Sequence, residues 1–292
     1  MGLPNRRDWV SLFFNVQCTV IPNISGRVLM LMSLSLLLCS LKYLGVYPLP
    51  AWKLTMHTLV GAALGLLLVY RTNASYDRFW EGRKLWGAVA GSSKSIMRFL
   101  RTHERNVDCT ELGKLISSYA FCLKNKLRGN NVTKELNALL KEDQLSFVNS
   151  TNNKPTAIVS LITDWIFENC KNCQAAAGKV GILESHINNL SDCQGALERI
   201  INTPHGSIPL AYVGHVNQVL LVYLVTLPFC LLDEFYWSSI FVVGFVSFAL
   251  LGIESAGLEI EDPFGNDLND IPVDRICNAI VETNNFLSQP RK

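Results

Sequence analysis

The chain has 292 residues, 49% hydrophobic and 17% charged, with 26 basic against 24 acidic side chains, a formal net charge of +2 and a mean hydropathy of +0.22. Soluble domains carry about 25% charged residues, so this chain is short of charge, and its apolar content excludes intrinsic disorder. Nine cysteines, several inside apolar runs, exclude a secreted disulfide scaffold, and +2 overall gives no basic footprint for nucleic acid.

Charge is distributed unevenly, and that unevenness points to a membrane. Residues 1–27 hold Arg6, Arg7, Asp8 and Arg27 without an apolar core and small-residue cleavage site, so neither a cleavable signal peptide nor a transit peptide is expected. Four apolar segments follow at about the length that crosses the hydrocarbon core. Residues 28–47 carry Lys42 as the only charge; 54–70, 208–232 and 237–253 carry none. Pro48 and Pro50 join the first two, and Asp233-Glu234-Phe235-Tyr236 joins the last two. Each pair reads as a helical hairpin.

Between the hairpins, residues 71–207 hold 18 basic and 13 acidic side chains, a net +5. Arg71, Arg78, Arg83 and Lys84 flank the membrane there, whereas the hairpin turns hold only Lys53. The positive-inside rule therefore predicts a cytosolic central block and cytosolic termini. The block reads as helix: Leu112, Leu115, Ile116, Tyr119 and Leu123 recur at helical spacing, as do Ile158, Leu161, Ile162, Trp165 and Ile166. Gly129-Asn130-Asn131 and residues 149–155 read as breaks.

The expected organisation is an all-α membrane protein of five parts. These are a cytosolic segment 1–27, a hairpin 28–70, a cytosolic helical region 71–207, a second hairpin 208–253 and a cytosolic segment 254–292.

Within span 54–70, Gly61 and Gly65 form a small-xxx-small face, while Thr55, Leu59 and Ala63 form a separate uncharged row. Repeated around an axis, that row would make an apolar constriction. The pattern by itself favours ordinary helix packing. His57 and His215 lie inside apolar spans, where an ionisable group is either functional or a neutral imidazole bonded to a neighbouring helix. Glu254 is expected to snorkel or pair with a base. Cys170 and Cys173 have zinc-like spacing, but His186 and Cys193 do not complete a second close pair. With no phosphate loop, Ser-His-Asp signature or zincin motif, no enzyme activity and no cofactor are expected.

Three strings carry a family resemblance: Arg71-Thr72-Asn73-Ala74-Ser75-Tyr76-Asp77-Arg78-Phe79-Trp80-Glu81-Gly82-Arg83-Lys84-Leu85-Trp86-Gly87 after the second span, Glu198-Arg199-Ile200-Ile201-Asn202-Thr203-Pro204 before the third, and Asp262-Pro263-Phe264-Gly265 after the fourth. At these residues the sequence resembles the bestrophin family of ion channels, in its bacterial and plastid branch. The resemblance implies a homopentamer around one pore, with the second membrane helix lining an apolar neck. Carried over by distance from Arg71, the neck positions are Thr55, Leu59 and Ala63, and the lower cytosolic aperture falls at Ile182. Small Thr55 and Ala63 depart from the family's bulky neck and imply a wider constriction.

Animal members bind calcium through consecutive acids after the Pro-Phe-Gly string. Here Asn266-Asp267-Leu268-Asn269-Asp270 leaves Asp267 and Asp270 as weak candidates, because Leu268 cannot ligate and Ca²⁺ takes about six to eight oxygens. Solvation, or pairing with Arg6, Arg7 or Arg275, is the preferred role of these acids. The expected activity is anion conduction, chloride first, through copies of the chain in a lipid membrane. A cation-conducting homologue and a non-conducting membrane scaffold are the alternatives. The host is a plasma or inner membrane, with the thylakoid as the other option.

Overall fold

The computed structural model describes residues 19–46, 53–104, 107–131, 133–169, 177–203, 209–267 and 269–289. The Pro48–Pro50 turn, Arg6, Arg7, Asp8, Cys170, Cys173, Ile208 and Leu268 lie outside them. Among the described residues there is helix but no strand. The helices are α1 (Ile21–Tyr43), α2 (Leu54–His103), α3 (Thr110–Leu127), α4 (Thr133–Leu139), α5 (Glu142–Asn149), α6 (Lys154–Asn169), α7 (Ala177–Asn202), α8 (Leu210–Phe235), α9 (Ser239–Glu261) and α10 (Val273–Ser288). The chain divides into two compact units: Met1–Phe79, His205–Pro263 and Asp267–Asn269 make the first, and Trp80–Pro204, Phe264–Asn266 and Asp270–Lys292 the second.

The first unit holds the apolar helices. α1 starts seven residues ahead of its apolar segment, with Pro22 in its first turn, where the missing N–H costs nothing. α1 packs on α8 and α9, and α8 packs on α9. Their shared core joins Ile24 and Leu31 of α1, Leu64 and Leu68 of α2, Val216, Leu220 and Leu224 of α8, and Val243 and Leu251 of α9. By length and composition, α1, a stretch of α2 and the residues of α8 and α9 suffice to cross a membrane.

The α8–α9 reversal falls later than expected, because Asp233, Glu234 and Phe235 stay helical and the turn is a 3₁₀ segment, Tyr236–Ser238. Tyr236 takes φ +45°, among the described residues the one non-glycine with positive φ. Its carbonyl accepts from the Cys39 thiol at 3.3 Å, and Lys42 Nζ lies 5.6 Å from its ring centre. Lys42 also donates to Asp233 at 2.6 Å. Surrounding contacts thus hold a backbone state that costs about 1–3 kcal/mol.

The second unit is built on α3, whose Leu112, Leu115, Ile116, Tyr119 and Leu123 are all buried, as their spacing predicts. α10, α6, α4 and α7 pack on it. The Tyr119 hydroxyl donates to the Leu190 carbonyl of α7 at 2.7 Å, and Asn284 Nδ2 of α10 donates to the Gly113 carbonyl and Ser117 Oγ. Burial pushes the Cys122 and Cys277 thiols up to about 12, so they remain inert thiols at neutral pH. α3 ends before Gly129, which takes φ +66°.

Two of the motif strings meet in this unit. Phe264 is buried against Gly82 of α2, where a Cβ would stand 2.9 Å from the Phe264 ring and 3.3 Å from Ile271. Arg128 Nε donates to the Phe264 carbonyl at 3.0 Å, and its Nη1 reaches Asp274 at 2.6 Å, where Lys124 also donates at 3.1 Å.

Gly82→Val therefore overpacks this contact and is expected to cost about 1–3 kcal/mol, seen as a lower melting temperature in detergent. Asp274 gives a pH signature. Burial raises its pKa, but hydrogen bonds and charge from Arg128 and Lys124 outweigh that and hold the carboxyl below its ordinary value. A depressed native pKa contributes stability above the unfolded value of about 3.9, and that contribution is lost as pH falls through the native one. The wild type should lose thermal stability below about pH 4, and Asp274→Asn should lack that step while melting lower at neutral pH.

Candidate functional site

α2 has two opposed faces in the first unit. His57, Leu64, Leu68, Arg71 and Ser75 are buried. Thr55, Leu59 and Ala63 are all exposed, Leu59 at 66% of its surface. At about 100° per residue, Leu59 lies opposite Leu68 and Thr55 opposite Leu64. Among the described residues, no side chain of the same chain covers the row. The small-residue pair on this helix is split in use. Gly61 receives the Tyr223 ring of α8 so closely that a Cβ would meet its hydroxyl at 2.7 Å, while nothing stands within 4 Å of a Cβ at Gly65.

His57 is bonded to a neighbouring helix. Its ring stacks on Tyr223 at 5.0 Å. Nε2 lies 3.0 Å from Thr226 Oγ1, which itself donates to the Val222 carbonyl at 2.6 Å, so the imidazole donates from Nε2. Nδ1 is then left to accept from the Cys230 thiol at 3.2 Å. The arrangement suits a neutral ring that ties α2 to α8. His215 lines a cavity of about 390 Å³ with His57, Met56 and Val60.

The densest electrostatics lie about four turns further along α2. Arg71 is 2% exposed, and its Nη1 donates to Asn217 Oδ1 of α8 at 3.1 Å. Its guanidinium stands 3.6 Å from Glu254 and 3.6 Å from Glu261, both on α9, while Arg27 of α1 stands 3.6 Å from the other oxygen of Glu254. Two arginines and two glutamates neutralise one another where all four helices of the unit converge. Glu254 thus pairs with bases, one of its two expected roles. Arg71, read in the sequence as one of the bases flanking the membrane, is buried and paired and adds little field there. Arg78, two turns on, has its pKa lowered by burial against the opposing pull of Glu261 and Asp262. Exposed Arg83 and Lys84 remain. Asn217 was passed over in the sequence as a polar residue in an apolar span, and its position on α8 was the available signal.

The other candidates lie apart from this cluster in kind. Ile182 is 47% exposed on α7 of the second unit. Asp267 is exposed in the first unit and Asp270 half-buried in the second. Among the described residues, no group of three or more His, Cys, Asp or Glu side chains is placed to hold a metal ion. Cys193 is buried beside Asn189.

Residues 1–285 match the family model described as bacterial/fungal bestrophin protein. The chain belongs to the bacterial/fungal bestrophin family. Among its relatives, it is 36% identical to the voltage-dependent anion channel-forming protein alr2987 of Nostoc, over 94% of this chain and 90% of that one. It is 33% identical to the similarly named sll1024 of Synechocystis, with the same coverage. Among solved structures, a bacterial bestrophin homologue from Klebsiella pneumoniae matches with TM-score 0.83 and 25% identity, covering 92% of this chain and 100% of that one.

In this bestrophin chain, removing one member of the Arg71–Glu254 pair leaves the other charge buried. Arg71→Met is expected to cost about 3–5 kcal/mol in stability. The double variant Arg71→Met/Glu254→Gln should recover part of that loss, since Glu261 and Arg27 retain access to water. Melting curves of the four proteins in detergent measure the coupling.

Proposed function

We propose that the chain is the subunit of an anion channel, a homopentamer around one pore, conducting chloride first. The observation that carries the reading is the uncovered, uncharged row of Thr55, Leu59 and Ala63 on a helix whose opposite face is buried in its own subunit. On a membrane helix such a row faces either lipid or a partner, and five copies around an axis turn each residue into a ring. The relatives named as anion channel-forming proteins support the same reading. Four spans follow, from α1, residues 54–70 of α2, α8 and α9. The +5 central block argues for cytosolic placement of the block and both termini in a plasma or inner membrane.

Conduction then depends on wetting an apolar neck. A neck without charge passes weakly hydrated anions, and cytosolic bases raise their local concentration. Ile182 is the proposed lower aperture. Asp267 and Asp270 are proposed to solvate the segment after α9 and not to hold calcium.

Purified protein in planar bilayers under a KCl gradient tests this directly. A chloride-directed reversal potential is expected; a potassium-directed one selects the cation homologue, and no current selects the scaffold. Leu59→Ala is expected to raise single-channel current and Ala63→Phe to lower it. Leu59 is uncovered within its subunit, so its truncation should leave out most of the roughly 2–5 kcal/mol that a packed leucine would lose. Unchanged currents in well-assembled variants would remove the row from the pore.

A further inference from the structure

The second unit carries a groove that no described residue of its own chain fills. It runs between residues 83–94 of α2 and α10, encloses about 530 Å³, and has Gly87, Ala90, Gly91, Ile276 and Ala279 along its floor. Arg83, Lys94 and Arg275 stand along it, all exposed, and among the described residues none of the three forms an ion pair. Glycine is disfavoured in a helix interior relative to alanine, yet a Cβ at Gly87 or Gly91 would meet nothing within 4 Å. The chain's own packing therefore gives no reason for two glycines there. Asn284 adds a buried signal: it lines the groove at 1% exposure, and its Oδ1 accepts no hydrogen bond.

A complementary surface exists on the same unit. Gly181, Glu184, Ser185, Asn188 and Asp192 form one stripe of α7 and are all exposed. Glu184 and Asp192 form no ion pair among the described residues. The stripe offers acids at its two ends and side-chain N–H and O–H donors from Asn188 and Ser185 in between. At about 100° per residue it lies roughly a quarter turn from Ile182 around the helix axis. If Ile182 faces a central axis, the stripe faces sideways, toward a neighbour.

We infer that this groove seats the Glu184–Asp192 stripe of α7 from the next copy of the chain. The inference rests on the ring assembly proposed above and names its cytosolic contact. Groove and stripe are different surfaces of one subunit, so their pairing is head-to-tail, the kind of contact that closes into a ring. The glycine floor lets the incoming helix approach closely, as in other helix-in-groove contacts. The basic groove and the acidic stripe set the register.

Two constructions test it, both read by detergent-corrected mass. Arg83→Glu/Lys94→Glu/Arg275→Glu and Glu184→Lys/Asp192→Lys should each lose the ring and run as smaller species, and the chain carrying all five substitutions should regain it. In the otherwise native chain, Ala279→Cys with Asn188→Cys, at the middles of groove and stripe, should give a ladder of covalent multimers under mild oxidation. Neither single cysteine should do so. The cysteine pair decides alone if the reversed chains aggregate. A wild-type ring that survives both reversals and gives no ladder overturns this contact and leaves the ring standing. A wild-type mass of one subunit overturns the ring and the contact together. A lipid or other anionic amphiphile retained by the wild type in native mass spectrometry, and lost on groove reversal with the ring mass unchanged, assigns the groove to that ligand and also overturns the contact.

Discussion

A guanidinium buried at 2% exposure must be neutralised where it stands, because an unpaired charge in low dielectric costs several kcal/mol. Arg71 meets that demand with groups from two other helices: Asn217 on α8, and Glu254 and Glu261 on α9. Arg27 brings α1 to the same carboxylate. Apolar helix faces are tolerant of sliding, since one leucine row resembles another. A charge cluster is not. Shifting α2 by one residue would turn Arg71 by about 100° and leave its partners unmatched. The cluster thus sets the register in which Leu64 and Leu68 face the core and Thr55, Leu59 and Ala63 stay uncovered.

The same logic separates fixed charge from available charge. Glu254 and Arg71 neutralise each other inside the unit, so the field outside comes from residues such as Lys84 further along α2. His57 is likewise committed, with both ring nitrogens engaged by α8. Along the first turns of α2, the uncommitted face is the uncharged one. A constriction built from that face would select by hydration and width, with no charged ring to attract or repel an ion.

What could be read in the sequence follows from the range of the physics involved. Periodicity is local, so the α3 core of Leu112, Leu115, Ile116, Tyr119 and Leu123 was legible, and so were the long uncharged helices. The two opposed rows on α2 were legible for the same reason. Pairings across long separations were not. Nothing in the spacing links Gly82 to Phe264, although each belongs to a recognisable string, and nothing links Arg71 to Asn217. The turn at Tyr236 was misjudged by a few residues because Asp233 and Glu234 look like loop residues. In the structure Asp233 instead pairs with Lys42 from within α8. The partner of an exposed row is the least legible of all, since it belongs to another copy of the chain.

The Arg71 cluster also has a consequence for biosynthesis. Glu254 follows Arg71 by 183 residues, and Asn217 follows it by 146. At about 5–20 residues per second, the first hairpin emerges roughly 10–40 s before the carboxylate that will neutralise its arginine. Through that interval Arg71 has to stay at the membrane surface, in contact with water or lipid headgroups. In the proposed topology the first two spans can enter the bilayer early, but they reach their final depth only when α9 arrives. Assembly of the membrane unit is therefore ordered in time by one ion pair, and a chain released before residue 254 would hold an arginine with no carboxylate of its own to meet.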